Sequence, residues 1–172
     1  MSILVKVLSG CALFVAALGF VPAAIAVDAL PDARFVGFVQ EANNFAIASG
    51  RLAQERASSE AVRGFGNRMM IERPKAAQRL EKARSEAGVT YAPTPGGKEP
   101  RHNTVLRHLG ALQGAEFDAA YGSAQLAALT ELVDQVGAYS QNGGSGPLRR
   151  FAQEWLPLLE KELDGAKRIA GQ

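Results

Sequence analysis

The sequence predicts an all-α fold, a four-helix bundle behind an N-terminal export leader, and three observations predict it. Apolar residues recur at three- and four-residue steps through four long segments, with serines and glycines at their borders. Composition is 47% hydrophobic with only 7% aromatic, and Ala and Leu are abundant, which favours helix over sheet. The first 26 residues stand apart as an apolar leader, leaving residues 27–172 as one domain-sized unit.

Residues 1–26 carry Lys6, an apolar run from Val7 to Val21, the helix breaker Pro22, and Ala24-Ile25-Ala26. This is the charge, apolar and small-x-small order of a secretory signal peptide, so cleavage after Ala26 is expected, with a periplasmic or secreted product. Two alternatives share the segment. Leu8-Ser9-Gly10-Cys11 has the form of a lipid-attachment motif, but most of the apolar run follows Cys11 instead of preceding it. An uncleaved anchor is the other, because the run approaches the ~20 residues that span a bilayer. In either case the membrane is touched only through the leader.

Helix one is expected over residues 32–57, capped by Asp32, with Phe35, Phe38, Ala42, Phe45 and Leu52 facing inward. Helix two follows over 58–87, with Ser58 or Ser59 as cap. Its stripe is Val62, Phe65, Met69, Ala76, Leu80 and Ala83, and Gly88 is its left-handed stop. Pro74 falls inside this helix and predicts a kink. Residues 89–100 hold Pro93, Pro95, Gly96, Gly97 and Pro100 and read as a crossover loop. A short helix over 103–112 comes next. Helix three, 115–140, carries the stripe Phe117, Tyr121, Ala124, Ala128, Glu131 and Gln135. After Asn142-Gly143-Gly144, Ser145 and Pro147 start helix four, with Leu148, Phe151, Trp155, Leu158, Glu162 and Ile169 inward. Two helical hairpins joined by one longer crossover is the ferritin-like way to build a four-helix bundle. No repeat of fixed period is legible.

Several function classes are excluded by charge and residue supply. With 19 basic and 17 acidic residues, the chain has no field that would draw it to nucleic acid. Cys11 is the only cysteine, so residues 27–172 have no thiolate. His102 and His108 are six residues apart, which turns them about 240° from each other on a helix and toward solvent. No nucleophile, base and orienting acid can be assembled from these parts. Gly143-Gly144-Ser145-Gly146, with Arg149 and Arg150 beside it, has the look of a phosphate loop, but a helix precedes it and it reads as a linker. Helix two is basic and helix three acidic, which is expected to reflect complementary packing of neighbours.

Three glutamates carry the sharpest chemical hypothesis. Glu72, Glu131 and Glu162 fall near mid-helix and could converge on a divalent metal ion through carboxylates alone. The competing reading is that the glutamates reach solvent or are satisfied by Arg73, which could meet Glu162 and Glu72 in a buried or half-buried ion pair that replaces a metal.

The chain also resembles the secreted domain of unknown function 4142 family. The resemblance is carried by Phe65 with Arg68-Met69, by Gly114-Ala115-Glu116-Phe117-Asp118 with Ala120-Tyr121, and by Phe151-Ala152 with Leu156-Pro157. It implies an export signal, a ferritin-like bundle, an envelope location and no established enzymatic activity. It also implies histidines near the middle of helices two, three and four. At those positions this chain has Glu72-Arg73, Ala128-Leu129 and Glu162. The expectation is a non-catalytic, stress-related envelope protein without cofactor that acts on an unidentified protein partner. A metal-binding or oxidoreductase-like bundle using the core glutamates is the alternative.

Overall fold

The computed structural model describes residues 27–91 and 102–171, and its regular structure there is helical throughout. Five helices follow in order: α1 Asp32–Arg56, α2 Glu60–Glu86, α3 Asn103–Ala111, α4 Gly114–Asn142 and α5 Gly146–Ala170. The leader and most of the expected crossover loop lie outside the described residues. Local chemistry sets the ends. Ser59 and Ser145 cap α2 and α5 by accepting from the amides of Val62 and Leu148. Gly88, at φ +63°, ends α2, while its amide and that of Val89 return to the carbonyls of Ser85 and Arg84. Asp32 is not the cap expected of it: Pro31 holds that place and Asp32 is the first helical residue.

The α1–α2 and α4–α5 hairpins are the most extensive contacts. α2 also lies beside α5 and α1 beside α4, so the four long helices enclose one core. Gly50 and Gly66 let the first hairpin close tightly, since a Cβ on Gly66 would stand 3.0 Å from the Gly50 carbonyl oxygen. The short α3 seals one side against α1 with buried Leu109. His108 is exposed, but His102 is half-buried and stacks on Phe45 at 4.3 Å, correcting the expectation that both face solvent.

Two inward stripes are displaced from expectation. On α4 the inward stripe continues from Tyr121 through Gln125, Leu129, Leu132, Val136 and Tyr139, while Ala124, Ala128, Glu131 and Gln135 sit on the flank. On α5, Leu159 is fully buried and Leu158 is 46% exposed. Helix periodicity tolerates either choice of neighbour, and packing took the larger apolar set. The basic face of α2 has little contact with acidic α4; Arg73 and Arg79 of α2 pair with Glu162 and Glu154 of α5, and Glu86 of α2 approaches Arg150. α2 is one unbroken helix through Pro74, as α5 is through Pro157. Both prolines are exposed, so water can take the carbonyl each leaves unpaired.

A repeat that the sequence hides governs this arrangement. Asp32 and Asp118, Ala57 and Gly143, Ser59 and Ser145, and Arg63 and Arg149 are each 86 residues apart. They do the same work crosswise. Asp118 of α4 accepts from the Ser59 amide at 2.8 Å and from the Ser58 hydroxyl, at the start of α2. Asp32 of α1 accepts from the Ser145 amide at 3.2 Å, at the start of α5, and also from the Tyr139 hydroxyl. Arg63 donates to the Ala57 carbonyl and Arg149 to the Gly143 carbonyl, at 2.7 and 2.8 Å. Seven of the eight buried residues of α2 fall on buried residues of α5 at the same offset. The exception is Ala76, whose counterpart is Glu162. Each hairpin therefore stands to the other as the other stands to it, an approximate two-fold relation carried by position instead of residue type.

Candidate functional site

The most consequential side chain in the core is Arg73. Its place on the Val62, Phe65, Met69 stripe of α2 turns it inward, and it is 1% exposed. Its Nη2 donates to Glu162 Oε2 of α5 at 2.5 Å, and its guanidinium lies 5.3 Å from the Trp155 ring centre. Its Nε and Nη1 have no hydrogen-bond partner among the described residues. α4 contributes Tyr121, whose buried hydroxyl is likewise unpartnered, and Gln125, which donates to Ser49 of α1 at 2.9 Å. All four long helices thus place polar groups in the core.

Burial opposes both charges of this pair. It pushes the Glu162 carboxyl above the usual carboxylate range, against the pull of Arg73, and lowers Arg73, against the pull of Glu162. The side chain of Glu162 is 16% exposed and that of Arg73 only 2%, so solvent helps the carboxylate and leaves the guanidinium dependent on it.

The three glutamates do not converge. Glu72 follows the helix one step from Arg73, about 100° around the axis, so turning Arg73 inward turns Glu72 outward. There it is exposed and pairs with Lys75 at 2.9 Å, not with Arg73. Glu131 lies on the flank of α4, in a groove of about 800 Å³ shared with Arg34, Phe38 and Tyr91. Only Glu162 enters the core. Among the described residues no group of three or more His, Cys, Asp or Glu side chains is placed to hold a metal ion. The Gly143–Gly146 linker turns its Ser145 amide to the Asp32 carboxylate, an anion the protein itself supplies.

Two further grooves lie along the α2–α5 seam. One, of about 620 Å³, has Phe65, Met69 and Ile169 in its lining, with Arg68, Lys161 and Arg168 around them, and reaches Glu162. The other, of about 290 Å³, is lined by Phe151, Arg79 and Glu154. Arg68 stands out in the sequence only through the family resemblance, and Gly64 and Gly165 carry no signal there, since nothing in their spacing announces that the two helices face each other.

The family model described as Domain of unknown function (DUF4142) matches residues 21–169. No curated protein and no solved structure matches the chain.

Proposed function

This chain belongs to the DUF4142 family, and on that premise we propose that it is an exported, non-catalytic envelope protein: a ferritin-like four-helix bundle with a salt bridge at its centre in place of a metal. The observation that carries this reading is the Arg73–Glu162 pair. A guanidinium stays protonated throughout the physiological range. Held 2.5 Å from Glu162, it neutralises that carboxylate in the core and repels any second cation. At an effective dielectric of 20 that repulsion is about 4 kcal/mol for each unit of added charge at 4 Å. The two antiparallel hairpins, their long connection, and the Ala24-Ile25-Ala26 site support the ferritin-like and export parts of the reading. Such a bundle acts by binding, and its partner is a protein or small molecule of the envelope.

The test is elemental analysis of protein purified from the periplasm without chelators, together with intact mass. Metal far below stoichiometric, even after incubation with iron, manganese or zinc, and a mature terminus at Val27 are expected. Near-stoichiometric metal that is lost in E162Q would overturn the metal-free reading. A retained leader or a lipidated Cys11 would overturn free export.

A further inference from the structure

We propose that the α2–α5 groove around Phe65 is a binding site for a small amphipathic anion, one carboxylate or phosphate on an apolar body, and that its twin on the same seam has been closed. The 86-residue relation supplies an internal control. Phe65, Arg68, Gly64 and Gly165 of the larger groove correspond to Phe151, Glu154, Arg150 and Arg79 of the smaller. In the smaller groove Arg79 Nη2 meets Glu154 Oε2 at 2.6 Å, and Arg150 approaches Glu86 at 3.9 Å. Those side chains bridge the seam and leave about 290 Å³. In the larger groove two glycines stand where the arginines would be, and an arginine stands where the glutamate would be. No such bridge spans it among the described residues, and about 620 Å³ stays open, within the range of small-ligand pockets.

The residues left there match one kind of ligand. Phe65, Met69 and Ile169 are buried and apolar. Arg68, Lys161 and Arg168 make no ion pair or hydrogen bond among the described residues, and Arg68 lies over the Phe65 ring at 5.5 Å. Glu162 and Glu72 are neutralised by Arg73 and Lys75, which leaves Glu60 as the one carboxylate of the lining without an ion pair among the described residues. A cationic rim over an apolar floor takes an anionic head with an apolar tail. Packing explains Gly165, because a Cβ there would stand 3.1 Å from the Phe65 ring. It does not explain Gly64, whose added Cβ would meet only Arg68 Nη1, at 3.9 Å. A helix-weakening residue beside open space is accounted for by the room it leaves.

The experiment is calorimetric titration of the purified protein with dodecanoate below its aggregation concentration, with dodecanol as neutral control. Saturable 1:1 binding is expected, weakened by added salt and at least tenfold weaker for dodecanol. G64R, which installs the twin's side chain in open space, and R68Q/R168Q, which keeps the room and removes charge, should each weaken binding tenfold or more with circular dichroism unchanged. Absence of saturable binding, binding untouched by both variants, or equal affinity for dodecanol would overturn the proposal. So would binding to phosphatidylglycerol vesicles without binding to monomeric dodecanoate, which would make the surface a membrane contact.

Discussion

Replacing the buried pair by the residues at its own quasi-equivalent positions separates the worth of the salt bridge from the cost of breaking it. The counterparts of Arg73 and Glu162 are Leu159 and Ala76, so the variants are R73L, E162A and their combination. E162A strands a guanidinium that is 1% exposed and already has two nitrogens without partners, which should cost about 3–4 kcal/mol. R73L strands a carboxylate with 16% side-chain exposure, which can reach water or take a proton. Together with the lost contact to Trp155 this should cost about 2 kcal/mol. The double variant removes both charges and should lose only about 1–2 kcal/mol, because neither desolvation penalty remains. The coupling energy is then about 3–5 kcal/mol. Urea denaturation followed by far-ultraviolet circular dichroism gives each stability, and the fluorescence of Trp155, the single tryptophan, reports the same site locally. A double variant as unstable as the sum of the single ones, with coupling below about 0.5 kcal/mol, would refute the reasoning.

The reciprocal caps give a second prediction: D32A and D118A should each cost about 1–3 kcal/mol, to similar extents and additively, because they sit at opposite ends of the antiparallel α1 and α4. Thermal melts of the two single variants and the double variant check this, and strongly unequal losses would contradict the two-fold relation. pH supplies a third. The folded protein holds the Glu162 proton more tightly than the unfolded chain, so Glu162 favours the fold below the ordinary carboxylate pKa, about 4.3, and this contribution is lost as pH rises through the window just above it. The stability of wild type relative to E162Q should fall across that window and level off above it. A relative stability that climbs there would reverse the sign of the argument.

Much of the local structure was legible because it rests on groups a few residues apart. Ser59 bonds the amide three residues on, and Gly88 adopts the one conformation that other residues resist. The candidate site was less legible. Arg73 and Glu162 are 89 residues apart, and the register that suggested their meeting also suggested Glu72 as a partner, which one step of helix rotation excludes. The repeat stayed hidden because it conserves positions of burial and capping while exchanging arginine for leucine and glutamate for alanine.

An all-α protein could be read from the chain alone: which segments are helical, where α2 and α5 begin, where α2 ends, and that most of the aromatics are core. Backbone hydrogen bonds, caps and apolar spacing are short-range, and they act alike in any fold. Packing between helices set which flank of α4 turned inward, which glutamate met the buried arginine, and which of two related grooves stayed open. Each of those depends on what stands across the helix interface, and an interface is a property of two segments that no single stretch of chain contains.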